Sequence, residues 1–193
     1  MVRAWAAGSK QRSALILRPA VIYGPANTAN VFSMVRGLDR GLFYLVGRND
    51  NVKSLVSIGN VVAAVAHLLR DPKPGVHVYN LVDRESFSVR QIAEMVAAEL
   101  GRPGPVRSIP PALAWLGAET GELCRRLTGR SLPLTRSRLK AMQETTHFSA
   151  EKLMSTGFVH PQTTQEGLRE MVAWYLSAKA NGFRDVPGQG PRA

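Results

Sequence analysis

The stretch that decides the fold is Ala14-Leu15-Ile16-Leu17-Arg18-Pro19-Ala20-Val21-Ile22-Tyr23-Gly24-Pro25. Its first ten residues are β-rich and mostly apolar at successive positions, and the Gly24-Pro25 pair stops the run. A strand on a half-exposed sheet alternates apolar with polar. A run without alternation predicts a strand covered on both faces, as in a parallel sheet with helices above and below. Downstream, Lys53 to Ile58 reads as a second strand leading into Asn60, which can cap a helix. The apolar positions of that helix, Val61, Val62, Val65, Leu68 and Leu69, recur at helical spacing until Asp71-Pro72 ends it. A third strand, Val76 to Val82, precedes Ser88, which has Gln91 three residues on as a capping box. Val89, Ile92, Ala93, Val96 and Leu100 then share one helix face, before Gly101 and Pro103. The strand–helix unit repeats, which predicts an α/β fold.

From Ile109 to Gln143 the pattern turns helical and amphipathic, with Leu113, Leu116, Leu123, Leu127, Leu134, Leu139 and Met142 on the apolar side. Arg125, Arg126, Arg130, Arg136, Arg138 and Lys140 supply a basic side. Interleaved aromatics for base stacking are absent from it, so it reads as a solvated helical face before it reads as a nucleic-acid surface. A last helix opens on a Thr163/Glu166 capping box and carries Leu168, Met171, Val172, Tyr175 and Leu176 on one stripe. After Asn181-Gly182 the tail is rich in Gly and Pro and has no core residue. The expected organisation is one domain over residues 1–182 and a disordered tail over 183–193.

Composition narrows the function. A chain of 193 residues with 45% hydrophobic and 20% charged residues is of ordinary globular type. The formal charge of +11 attracts phosphate, whether on a small nucleotide, a nucleic acid or a membrane surface. One cysteine, Cys124, excludes an internal disulfide, and His67, His77, His147 and His160 have no zinc spacing, so no metal site is expected. No stretch approaches the roughly 20 uninterrupted apolar residues of a bilayer span, and a reducing, cytoplasmic setting is expected.

Four passages carry a family resemblance. Leu17-Arg18-Pro19-Ala20-Val21-Ile22-Tyr23-Gly24-Pro25 is similar to an LRPxxVYGP strand and turn, and Asn30-Val31 with Gly41-Leu42-Phe43 resembles a loop and helix over a nucleotide. Lys53-Ser54-Leu55-Val56-Ser57-Ile58-Gly59-Asn60-Val61 looks like a basic-residue strand followed by a helix cap. Phe148-Ser149-Ala150-Glu151-Lys152-Leu153, Gly157-Phe158, Pro161, Gly167-Leu168 and Trp174-Tyr175 are similar to a closing signature. Together they resemble the second half of an extended short-chain dehydrogenase/reductase, nearest to the NAD-dependent nucleotide-sugar epimerases and dehydratases. The resemblance implies the C-terminal portion of a Rossmann-like fold with a mostly helical substrate-binding subdomain.

It also implies roles. Pro19 and Ala20 follow the strand end beside the nicotinamide of NAD(P), and Asn30 matches a position that hydrogen-bonds a nucleotide diphosphate. Lys53 stands where the family usually has an arginine on that diphosphate; an ammonium serves there as a point charge without the bidentate fork. Val21 departs from the polar residue that several sugar-nucleotide members carry.

The family's Gly-rich phosphate turn lies between a strand and a helix. The one glycine-dense stretch, Gly188-Gln189-Gly190-Pro191, sits in the tail. The family's Tyr-x-x-x-Lys pair precedes the LRPxxVYGP strand, where no tyrosine stands before Tyr23 itself. Tyr175 and Lys179 have that spacing but continue the apolar stripe of the last helix, and Lys10 lies too few residues before Arg18. Residues 1–13 are expected to be the end of the catalytic helix and its loop, and no catalytic residue is expected in this chain.

The first expectation is therefore a truncated epimerase/dehydratase-like protein that keeps a nucleotide-sugar site and is inactive alone, with a second copy or a complementing N-terminal half as partner. A 3β-hydroxysteroid dehydrogenase-like oxidoreductase fragment is the alternative within the family, and Asn30 and Lys53 favour a diphosphate over a steroid. A non-enzymatic basic module working through residues 109–143 is the alternative outside it.

Overall fold

The computed structural model describes residues 2–9, 11–116 and 144–182. Lys10, most of the basic segment (117–143) and the tail (183–193) lie outside them. Elements follow in the order α1 (Val2–Ala7), β1 (Ser13–Pro19), β2 (Val21–Tyr23), α2 (Asn30–Asp39), β3 (Leu45–Val46), β4 (Val52–Lys53), β5 (Leu55–Ser57), α3 (Ile58–Arg70), β6 (Gly75–Leu81), β7 (Phe87–Ser88), α4 (Val89–Glu99), β8 (Ser108–Ile109), α5 (Glu151–Met154) and α6 (Thr164–Ala180). Residues 111–116 form a further helical turn. By its contacts the chain divides into two compact units, Met1–Ser33 with Ser54–Ser86 and His147–Ala193, and Met34–Lys53 with Phe87–Thr146.

The first unit holds two parallel strand pairs. β1 runs beside β6, from Ser13 opposite Gly75 to Pro19 opposite Leu81, and β2 runs beside β5, from Val21 opposite Leu55 to Tyr23 opposite Ser57. The run 14–23 is thus not one strand. After Pro19 the chain changes partner, and Ala20 N donates to the Leu81 carbonyl at 2.9 Å as the last contact with β6. Proline suits the step because it has no N–H to satisfy. Nor is β1 covered to the degree its apolar run implies: its first five residues are half-buried, and Arg18 and Pro19 are exposed. Among the described residues it pairs on one edge only, with β6.

Val56, Ala64, Leu68, Tyr79, Leu81, Leu153 and Phe158 form the core of this unit, with Leu15 and Leu17 packed against it. Helix α3 starts at Ile58, and its N-cap is Ser57, whose hydroxyl accepts from Asn60 N at 3.1 Å. Asn60, expected as the cap, is buried inside the first turn of the helix. Its burial aligns the inward face of α3 on Asn60, Ala64 and Leu68, so the apolar positions Val62 and Leu69 point outward at 62% and 60% exposure. Helical spacing showed which residues could share a face; the neighbouring sheet chose which face it was. The Thr163/Glu166 box forms as expected and starts α6, which buries Leu168, Met171, Val172 and Tyr175 while leaving Leu176 exposed.

In the second unit the Ser88/Gln91 box starts α4, whose Val89, Ile92, Ala93, Val96 and Ala97 face inward. Leu45, Val89, Ala93, Ala97 and Val106 make its larger core, with Met34, Leu38 and Phe43 packed against it. β3 pairs with β8 in parallel, and β4 with β7 antiparallel. The sequence run 53–58 therefore spans two short strands and the start of a helix.

Candidate functional site

Pro19 and Ala20 lie together at the partner change between β1 and β2, level with the end of β6. A strand end beside a crossing of partners is where a parallel sheet opens a crevice. Immediately beyond it the chain enters a turn in which Gly24 takes φ 146° and Ala26 φ 63°. Asn27 organises that turn: its side-chain Nδ2 donates to the Ile22 carbonyl at 3.1 Å and its Oδ1 accepts from Ala29 N at 2.9 Å. This leaves Asn30 as the exposed first residue of α2. Val31 and Phe32 anchor it, since both are buried, and Phe32 meets the edge of Tyr175 with ring centroids 5.7 Å apart. Tyr175 is accordingly core, as its place on the apolar stripe implied.

Lys53 belongs to the second unit. It ends β4 opposite Phe87, bridges to Thr146 in parallel, and donates from Nζ to Thr146 Oγ1 at 3.4 Å. Partial burial holds its pKa below the usual lysine value, while the charge of Glu144 acts in the opposite direction. A cation that is partly stripped of water and held by its own stem is arranged to meet an anion at lower cost than a fully solvated one.

The sequence reading missed a buried polar cluster in the first unit. Asp83, 3% exposed, accepts from Tyr23 Oη at 2.8 Å, Asn60 Nδ2 at 2.7 Å, Ser57 N at 3.1 Å and Thr164 Oγ1 at 3.1 Å. Asn60 Nδ2 also donates to the Gln162 carbonyl at 3.0 Å. One carboxylate thus ties the ends of β2 and β5 and the starts of α3 and α6. Burial first, and the neighbouring charge of Asp83 second, push the Tyr23 hydroxyl far above its ordinary pKa. A phenol so placed stays protonated and is fully enclosed, so Tyr23 is a structural donor and no general base. The signal that could have exposed the cluster is an acid directly after the apolar strand 76–82, where a solvated loop residue is the ordinary reading.

No family model matches the chain. It is 34% identical over 177 residues to the N-acetyl-alpha-D-glucosaminyl-diphospho-ditrans,octacis-undecaprenol 4-epimerase of Escherichia coli O157:H7, a match covering 91% of this chain and 54% of the relative. It is 28% identical over 165 residues to the UDP-glucose 4-epimerase of Vibrio cholerae, covering 85% and 47%. The crystal structure of UDP-glucose 4-epimerase from Thermus thermophilus in complex with NAD superimposes with a TM-score of 0.61 at 22% identity, over 91% of this chain and 50% of that one. The chain spans about half the length of the curated relatives it matches. Parallel strand pairs joined through helices, matched over nine-tenths of the chain by that structure, define a Rossmann-like α/β protein. The chain belongs to the extended short-chain dehydrogenase/reductases, in the NAD-dependent epimerase/dehydratase family.

Proposed function

We propose that this stretch supplies the substrate side of an NAD(P)-dependent epimerase or dehydratase whose substrate is a sugar carried on a diphosphate, as in a nucleotide sugar. The observation that carries the reading is the 34% identity maintained over 91% of the chain. By their names, the two curated relatives share a sugar on a diphosphate, one on UDP and the other on undecaprenol. In this reading Asn30 and Lys53 each contact the diphosphate, and Pro19 and Ala20 border the nicotinamide. The chemistry that NAD(P) supplies when bound is transient removal of hydride from a sugar carbon. In this reading Tyr175 and Lys179, which have the Tyr-x-x-x-Lys spacing, serve the packing of α6 and not proton transfer, and the stretch binds substrate without turning it over by itself.

Calorimetric titration of the 193-residue chain with UDP-glucose tests this. Lys53→Ala should weaken binding roughly ten- to a hundredfold, the loss of one charge-assisted contact. Arg70→Ala, at the exposed end of α3, should leave it unchanged. Equal losses at both positions would remove Lys53 from the diphosphate contact, and tighter binding to DNA than to UDP-glucose would favour the basic-module reading. Formation of epimerised sugar nucleotide from UDP-glucose by this chain with NAD present would refute its inactivity alone.

A further inference from the structure

A sugar diphosphate reaches a protein on a soluble nucleoside or on a lipid whose hydrocarbon stays in a bilayer, and only the second requires the protein to meet a membrane surface. The second unit carries a feature that the substrate site does not use. Residues 111–116, Pro-Ala-Leu-Ala-Trp-Leu, form one helical turn without a charged side chain. Ala114, 1% exposed, seats the turn against Val46 and Ile109, and Pro111 lies against Gly47, where an added Cβ would come within 3.1 Å of its ring. With Ala114 inward, helical geometry turns the large residues outward: Leu113 is 60% exposed, Trp115 38% and Leu116 62%. The exposed Arg107 lies four residues before the turn, and the whole chain carries +11. Tryptophan between exposed leucines, on a strongly cationic protein, is the composition that settles at the boundary of headgroups and acyl chains.

We propose that Leu113, Trp115 and Leu116 form a contact surface for an anionic phospholipid bilayer, so that this protein meets a sugar diphosphate borne on a lipid. The choice of carrier rests on the sugar-diphosphate reading above; the bilayer contact itself does not. Charge complementarity selects the occupant, because a cationic protein is drawn to anionic lipid and the uncharged turn then enters the interface.

The test is co-sedimentation of the 193-residue chain with vesicles of one part phosphatidylglycerol to three parts phosphatidylcholine in 0.15 M salt, with no sugar present. The chain should bind these vesicles and bind pure phosphatidylcholine at least fivefold more weakly. Leu113→Glu with Leu116→Glu should raise the lipid needed for half-binding at least fivefold, whereas Val62→Glu with Leu69→Glu on α3 should not. Tryptophan fluorescence of the unsubstituted chain should be quenched by brominated acyl chains, and Trp115→Phe should remove that quenching, which keeps the test decisive if a charged variant unfolds. Absence of vesicle binding, equal binding by the Leu113/Leu116 variant, or quenching that survives Trp115→Phe would overturn the proposal. Because the vesicles hold no sugar diphosphate, such a failure leaves the UDP-glucose titration untouched.

Discussion

The Tyr23 hydroxyl donates to Asp83 Oδ2 at 2.8 Å across 60 residues of sequence, inside a cluster closed to solvent. Every donor around Asp83 depends on that carboxylate staying in place. Asp83→Ala should therefore cost about 4 kcal/mol, because it strands several buried donors together. Tyr23→Phe removes a single bond to a charged acceptor and should cost about 1.5–3 kcal/mol. Urea unfolding monitored by circular dichroism measures both, and a loss below ~1 kcal/mol for Asp83→Ala would show that the cluster does not anchor the fold.

The same pair sets an alkaline limit. The folded-state pKa of Tyr23 is raised, so its protonated form is favoured in the folded chain and the unfolded chain loses that proton first. Its contribution is present below the ordinary tyrosine value and is lost as pH rises above it. Ultraviolet titration should show Tyr23 remaining a phenol until the chain unfolds, and Tyr23→Phe should flatten the alkaline fall in stability.

Gly167 sits where α6 passes Tyr23. A Cβ there would meet Tyr23 Oη at 2.7 Å and the Ser57 Cβ at 3.1 Å. Tyr23 is fixed by its bond to Asp83 and cannot swing aside. Gly167→Ala should destabilise by about 1–3 kcal/mol despite alanine's better helix propensity; a stabilised variant in thermal unfolding would refute the close approach.

Acid should weaken the start of α6. Hydrogen bonds from the Thr163 backbone and side chain hold the Glu166 pKa below the usual carboxylate value. A depressed carboxylate stabilises above its unfolded pKa and loses that contribution as pH falls through its folded one. Glu166→Gln should thus reduce the slope of stability against pH in acid, and an unchanged slope would mean that the box does not hold the ionised form.

Lys53 makes a binding prediction with the opposite sense. Its lowered pKa means that the ammonium discharges at a lower pH than a solvated lysine. Affinity for UDP should fall as pH rises through that depressed value, and Lys53→Arg should carry binding further into alkali. Parallel profiles for the two proteins would exclude Lys53 from the anion contact.

By itself the sequence determined the repeating strand–helix order and the two capping boxes, because a box needs only two residues three apart and the backbone between them. Its motifs also placed the chain in its family, since LRPAVIYGP and the closing Trp174-Tyr175 passage are local strings. The partner change at Ala20, the inward turn of Asn60 and the cluster on Asp83 were decided by tertiary structure. Each depends on where β5, β6 and α6 converge, and periodicity along one segment contains no term for the surface that another segment presents. The turn 111–116 shows the same division: the sequence placed Leu113 and Leu116 on the apolar side of a helix, and only the seating of Ala114 on Val46 decides that Leu113, Trp115 and Leu116 face outward.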